Sequence, residues 1–550
     1  MSKSTMIHSR QFYSAAAIAL CFGSLLVSCN PNPNGTTPNS ETTTISADVN
    51  NRLALGTTAK PRTIDPADSY EIAGLNIIYN VTESLYTYEI GTTEIKPLLA
   101  AALPAISDDG LTYTIPLREG VTFHDGEPFN AAAMKFSLDR FMENKGKPSF
   151  LLGDIIENIE ATGEYELTIT LKQPFAAFPA LLAFAGASAV SPAAYEIGEG
   201  AFNPSQLVGT GPYKLTAFTS DTITLDRNDD YWGETAKNAG VDIQIFNSNA
   251  ANLFNALQTG AVDIAYQSLE PEQVSNLLRE AESGEIQALE AEGTAVNFMV
   301  LNRNQAPLDQ LEVRQAIAAL LDRNLINERV LNGQADPLYS LIPTSFPASQ
   351  PLFQSAYGDA NIEQAKTLLT EAGFTPENPA VIPLWYPSGS TTRGIIATTL
   401  REYANRELEG LLQFEPSSVE GATFFQNIAQ GIYPAALGNW YPDFLDADNY
   451  IHPLLNCEVG SPETGCESGG AQNQGSFYWN EAMNQLIDAQ RTETDPTKRL
   501  EIFTQIQEQM VADVPYIPIW QGKEYVFAQA NIQGLAVNPS QSLPLWLVEK

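Results

Sequence analysis

Two stretches of the chain alternate apolar and polar residues with the period of a half-buried strand. Leu111, Tyr113, Ile115 and Leu117 are separated by Thr112, Thr114 and Pro116, and Tyr165, Leu167, Ile169 and Leu171 by Glu166, Thr168 and Thr170. Successive side chains of a strand point to opposite faces, so each stretch predicts one dry face and one wet one. Elsewhere the period lengthens to that of a helix. Phe503, Ile506 and Met510 fall at i, i+3 and i+7 behind the start signal Asp495-Pro496, and Ala365, Leu368, Leu369 and Ala372 run up to the stop signal Gly373. The mixture predicts an α/β or α+β fold. A chain of 550 residues exceeds what one small core can use, so two or three lobes are expected.

From about Arg52 onward the composition stays that of a packed domain with no low-complexity linker, so any lobes must be divided by chain crossings. The N-terminal end differs. Lys3 and Arg10 precede an apolar run from Ala15 to Val27, too short for a stable membrane span but suited to an export signal. The run ends Leu26-Val27-Ser28-Cys29, which resembles a bacterial lipobox with a cysteine sulfur able to receive diacylglycerol. Residues 1–28 are therefore expected to be a lipoprotein signal peptide. Residues 29–49, dominated by Asn, Pro and Thr, are expected to form a disordered tether.

Charge narrows the partners. The 65 Asp+Glu outweigh 29 Lys+Arg to a net −36, and loss of Lys3 and Arg10 with the signal makes it −38 (−36 − 2). Phosphate backbones need the opposite sign, so no nucleic-acid partner is expected. Such a surface is also repelled by anionic lipid headgroups, which leaves the acyl group on Cys29 as the expected hold on the membrane. With only His8, His124 and His452, a multi-histidine metal site cannot form, no Walker A loop is present, and no cofactor is expected. Cys21 leaves with the signal. Cys457 and Cys466 remain in the folded body and are expected to pair in an oxidising compartment across a turn-rich loop.

Several blocks carry a resemblance. Leu111 to Asn130 with its Val121-Thr-Phe-His-Asp-Gly126 core, Val208-Gly-Thr-Gly-Pro-Tyr213 and Asn228-Asp-Asp-Tyr-Trp-Gly233 are similar to the family 5 extracellular solute-binding proteins of ABC importers, the peptide-binding group. Ala256-Leu-Gln-Thr-Gly260 with Asp263, Glu312-Val-Arg-Gln-Ala-Ile317 with Asp322-Arg323, Glu371-Ala-Gly373 and Val514-Pro-Tyr-Ile-Pro518 continue the match in order, over roughly residues 52 to 530. Ala131-Ala-Ala133 departs from the acidic pair usual in the family. The resemblance implies a periplasmic-binding-protein-like α/β fold with two large lobes joined by a hinge and a small third lobe inserted. The first lobe would take 50–80, 208–292 and 522–550, the small lobe 81–207, and the second ligand-binding lobe 293–521.

Read without the family, most blocks are structural. Lys214 stands where a dinucleotide fingerprint needs its last glycine, so Gly211-Pro212 reads as a tight turn between strands, and His124-Asp125-Gly126 reads as a turn held by an Asp-to-backbone hydrogen bond. Arg314 and Asp322 are expected in local ion pairs. The exception is Asn439-Trp-Tyr-Pro-Asp-Phe-Leu-Asp-Ala-Asp-Asn-Tyr450, whose aromatics and carboxylates are too turn-rich for a core element. The resemblance puts on Asp443 the role of accepting a ligand's α-ammonium. A dry cleft cannot hold an ammonium without a fixed carboxylate, and Trp440 and Tyr441 can wall it from water. Asp446 and Asp448 are expected to orient the loop through backbone amides rather than hold calcium. Arg393 lies where relatives keep a basic residue near the ligand, and Trp385 and Tyr386 are candidate walls for side-chain pockets.

The expectation is thus an exported, lipid-anchored, monomeric substrate-binding component without enzymatic activity. It would capture a peptide between lobes and deliver it to a membrane permease driven by separate ATPase subunits. The alternatives are the same fold around a nickel chelate, haem or an oligosaccharide and, more remotely, an exported hydrolase.

Overall fold

The long strands Ile286–Leu301 and Tyr516–Gln529 run antiparallel beside each other through the middle of an 11-stranded sheet. The computed structural model describes residues 51–550 apart from Ser248, Gln267 and Ser268, and counts here refer to those residues. The expected signal peptide, the tether, Cys21 and Cys29 lie outside them. On one side of the long pair the sheet continues through Ala435–Trp440 and Ala380–Pro387 to Leu412–Val419. On the other it continues through Ile264–Tyr266, Arg52–Thr57, Gly240–Ile245 and Thr222–Arg227 to Tyr213–Phe218. Arg52–Thr57 pairs in parallel with both neighbours, the arrangement of an α/β sheet covered on both faces.

Alternation along these strands assigns their faces. Leu53 and Leu55 join a core with Ile78, Tyr213, Ile243, Val526 and Leu545. Gly56 faces the other way, against the helix Ala250–Gln258, where a β-carbon would come within 2.4 Å of Leu253. Phe527 lies on that second face while Val526 and Ala528 lie on the first, as a period of two requires. Residues 53–81, 207–245 and 526–548 share the first core although the sequence separates them widely. Asp263 ties the ends of this assembly, accepting from the Ala54 N–H at 2.8 Å and from Lys550 Nζ at 2.9 Å.

Residues 85–189 build a separate core around the four-stranded sheet that contains Thr112–Pro116 and Glu166–Leu171. Tyr113, Ile115, Leu167 and Ile169 are buried and the intervening threonines half exposed, as the alternation predicts. The helix Ala131–Glu143 closes this core, and its Asn130 side chain caps the Ala133 N–H at 3.0 Å. From it Arg140 makes a two-pronged ion pair with Asp65, both contacts 2.7 Å, with both side chains fully buried. Removing one partner of such a pair strands the other charge and costs about 3–5 kcal/mol.

The third core runs from Val296 to Trp520. Both helix predictions hold within it: Pro496–Asp513 is capped by Asp495 with Phe503, Ile506 and Met510 buried, and Ile362–Glu371 ends before Gly373 at φ +90. Cys457 and Cys466 are disulfide-bonded, and they join the strands Val459–Ser461 and Gly465–Ser468. His124-Asp125-Gly126 is the expected turn, with Asp125 accepting from the Glu127 N–H.

Two local expectations differ. Arg314 makes no ion pair among the described residues; its guanidinium donates to the carbonyls of Asp513 and Leu308, the first of which ends the helix Pro496–Asp513, and Asp322 caps the helix Arg323–Arg329. Helix-terminal carbonyls have no intrahelical donor, so a cation there fills a need that local sequence does not display. Gly209 and Gly211 serve close approach more than a turn, since a β-carbon on either would meet the Val81–Thr82 backbone within 2.8 Å.

Between the first and third cores the two long strands lose register, once between Glu292 and Val296 and again between Asn297 and Phe298. Gly293 and Gly522 lie in this irregular stretch, and a β-carbon at 293 would sit 2.4 Å from the Gly522 carbonyl oxygen. No helix among the described residues is long and apolar enough to cross a membrane.

Candidate functional site

The aromatic and acidic block lies where the three cores meet. Strand Ala435–Trp440 ends at Trp440, a turn-rich segment follows, and the chain re-enters regular structure in the helix Asp448–Leu455. The segment is held from several sides. Phe444 inserts into the small core, edge to face with Phe175. The Leu445 N–H donates to the Tyr88 hydroxyl at 2.9 Å, and Asp446 takes a two-pronged ion pair from Arg499 at 2.7 and 2.8 Å. Asp446 also accepts from the Asp448 N–H, the expected backbone role, whereas Asp448 is buried against Gln490 and Arg491.

So anchored, the segment presents Trp440, Tyr441 and Asp443 to a cavity of about 490 Å³. Tyr70, Tyr79, Tyr88, Phe184 and Phe425 complete mostly apolar walls. Asp443 accepts from the Tyr70 hydroxyl at 2.5 Å and from Asn449 Nδ2 at 3.4 Å. Asn449 also fixes the loop, since its Oδ1 accepts from Trp440 Nε1 at 3.1 Å and from the Asp443 N–H at 2.9 Å. Among the described residues no lysine, arginine or histidine pairs with Asp443. Burial therefore raises its carboxyl above the usual range, and the bonds from Tyr70 and Asn449 only partly offset this. A carboxylate held by neutral donors, in an apolar wall and without a countercharge, is suited to meet a cation brought by a ligand.

Arg393 lies in the first turn of the helix Thr391–Glu407, its N–H capped by the Ser390 side chain. Its Nη2 donates to Asn439 Oδ1 at 2.5 Å and Asn297 Oδ1 at 3.2 Å, while its buried Nε has no hydrogen-bond partner among the described residues. Asn439 lines the cavity and Arg393 does not, so the guanidinium stands one residue behind the wall. Burial lowers its pKa. Trp385 and Tyr386 do not line the cavity either. Trp385 stacks on Tyr433 at 4.6 Å between ring centroids, Tyr433 stacks on Phe424, and Tyr386 packs over Gly394. The structure thus brings Trp440, Tyr441 and Asp443 together and leaves Arg393, Trp385 and Tyr386 outside that wall.

Sequence reading missed Tyr70, Asn449, Phe425 and Thr294. Tyr70 lies 373 residues from Asp443 and carries no motif, so only folding reveals the pair. Asn449 was within the recognised block, and an asparagine in the first turn of a helix after a turn-rich loop was the available signal. Thr294 comes from the irregular stretch of the long strands. It lines the cavity and accepts at its carbonyl from Tyr450 at 2.9 Å.

A groove of about 680 Å³ beside the disulfide hairpin is larger, but its cations are already engaged: Arg314 as above, and Arg303 with the Trp479 carbonyl at 2.8 Å. No group of three or more His, Cys, Asp and Glu residues is placed to hold a metal among the described residues.

Comparison with known proteins places this geometry. Residues 94–462 match the profile of the bacterial extracellular solute-binding proteins, family 5 Middle. The chain is 26% identical over 501 residues to the probable D,D-dipeptide-binding periplasmic protein DdpA of Escherichia coli (strain K12), covering 88% of this chain and 92% of that one. It is 27% identical over 493 residues to the glutathione-binding protein GsiB of Salmonella typhi, covering 87% and 90%. Among solved structures it resembles the periplasmic binding protein DppA from Helicobacter pylori in complex with the peptide STSA, with a TM-score of 0.71, 24% identity, and 90% and 97% of the two chains covered.

Proposed function

The chain belongs to the bacterial extracellular solute-binding proteins of family 5, and from that membership we propose that it captures peptides outside the cytoplasmic membrane and hands them to an ABC permease. The observation that carries the peptide reading is Asp443, a largely buried carboxylate in an apolar cavity with no cation among the described residues to meet it. A peptide supplies that cation as its α-ammonium. Trp440 and Tyr441 then shield the pair, and low local dielectric strengthens it. DdpA is named for a D,D-dipeptide and GsiB for glutathione, which supports the same class of ligand.

The lobes follow the cores. Residues 50–80, 208–292 and 522–550 form the first lobe, 81–207 the inserted small lobe and 293–521 the second, with the cavity at their junction. The register-shifted stretch around Gly293 and Gly522 is the hinge, because strands without regular pairing bend at low cost. Arg393 receives the peptide's carboxylate after a modest shift of Asn439. Cys29 carries the lipid, the mature protein works as an extracytoplasmic monomer, and its partners are the permease and its ATPase subunits. The reading assigns the protein no chemistry of its own.

Native mass spectrometry of protein purified gently from its source tests the reading. The expected result is a retained peptide population released on denaturation. A retained nickel chelate, haem or oligosaccharide in its place would overturn it.

A further inference from the structure

A second recess, of about 340 Å³, adjoins the Asp443 cavity and shares Ile72, Tyr441 and Gln541 with it. Its wall contains a second carboxylate, Glu524, on the strand Tyr516–Gln529. Among the described residues the Glu524 carboxylate has one hydrogen-bond partner, Gln541 Nε2. Lys523, its neighbour in sequence, is engaged by Glu290 at 2.6 Å and Asp336 at 3.7 Å.

The contrast with the protein's structural carboxylates is informative. Glu83, fully buried, accepts from the Tyr231 hydroxyl, Trp232 Nε1 and the Thr210 hydroxyl. Asp65 holds Arg140 with both oxygens and also accepts from the N–H groups of Ala67 and Asn203. A carboxylate offers about four acceptor positions, and a buried one that serves the fold alone has them filled. Glu524 has one filled and borders space. Burial, offset only by the Gln541 hydrogen bond, pushes its pKa up to about 7.

We infer that Glu524 forms a subsite for a cationic side chain of the ligand, so that peptides carrying a lysine, arginine or ornithine residue are preferred. The inference rests on the peptide reading above, with the α-ammonium at Asp443 and the second charge in the adjoining recess. Tyr441, half exposed between the two recesses, walls both. Discrimination arises because a neutral side chain leaves the carboxylate desolvated and unmatched, whereas a cation satisfies it.

The test is calorimetric titration of wild type and Glu524→Gln with trialanine derivatives bearing lysine at the first, second or third position, each paired with the same peptide bearing norleucine. Norleucine keeps most of the apolar stem and removes the charge. Wild type is expected to favour lysine by about tenfold or more in at least one position, and Glu524→Gln to lose that preference, binding the norleucine peptides more tightly than wild type does because no desolvated charge is left unmatched. Glu524→Asp, which keeps the charge on a shorter stem, is expected to retain part of it. Norleucine peptides that bind wild type as well as their lysine partners in all three positions would overturn the subsite and leave the peptide reading standing, as would a preference that survives in Glu524→Gln. Failure of wild type to bind any of the six would overturn both.

Discussion

Replacing Asp443 by asparagine keeps the shape of the side chain and removes its charge. In the unliganded protein little is lost, because an amide oxygen can accept from the Tyr70 hydroxyl as the carboxylate does, and no cation among the described residues pairs with Asp443. A desolvated charge disappears at the same time. The melting temperature of unliganded Asp443→Asn is therefore expected to equal or exceed that of wild type. With a peptide bound the balance reverses, because its α-ammonium enters an apolar cavity and meets a neutral group. Loss of one partner of a desolvated charge pair costs about 2–5 kcal/mol, a weakening of about thirtyfold to about four thousandfold. N-acetylation of the peptide removes the same interaction from the other side. The double change should therefore cost little more than either single one. Calorimetric titration of both proteins with free and acetylated peptide completes the cycle, and thermal melts complete the control. Additive losses would refute the reasoning, as would an unliganded Asp443→Asn protein that melts well below wild type, which would mark the carboxylate as structural.

Three further outcomes are expected. Thiol titration of denatured, unreduced protein lacking residues 1–48 should find no free thiol at Cys457 or Cys466, and two titratable thiols would contradict the bridge. Burial raises the Glu83 pKa from 4.5 to about 7, so the stability this group contributes is fully present below pH 4.5 and is lost as pH rises through 7. Urea unfolding of wild type relative to Glu83→Gln should accordingly show a relative loss of about 2–3 kcal/mol between pH 5 and pH 8, and a flat difference would exclude the assignment. Cys29→Ser should be unprocessed or released from the membrane in fractionated cells, and lipid-mediated retention of that variant would remove the lipobox reading.

The sequence was readable where structure is set by near neighbours. The period of two at Tyr113 and Ile115, the Asp495 cap and the Cys457–Cys466 bridge all depend on residues within about one element of each other, and each appears as expected. The block from Asn439 to Tyr450 stood out because it concentrates charge and aromatic surface in a stretch too rich in turns to be core, and the family resemblance singled out Asp443 within it. What escaped was made by distant segments meeting. Tyr70 reaches Asp443, Arg140 reaches Asp65, and Arg314 reaches the carbonyl of Asp513, over sequence separations of 373, 75 and 199. None of the six residues advertises its partner, because an unpaired polar residue and a paired one look identical in a linear chain. Arg393 shows the same limit: its type and place suggested a ligand contact, and folding set it behind Asn439.

Asp263 gathers the strand that begins at Arg52 and the side chain of Lys550 into a single core. Handles attached at those two ends would therefore grip the same body. A stretching force applied between them would be borne by that body's own sheet and would not run across the paired strands around Gly293 and Gly522. By the same geometry, two fluorophores placed at the ends would keep their separation during closure on the proposed hinge. A reporter of closure on the proposed hinge needs one label at either end and the other within residues 296–520, beyond the register-shifted stretch.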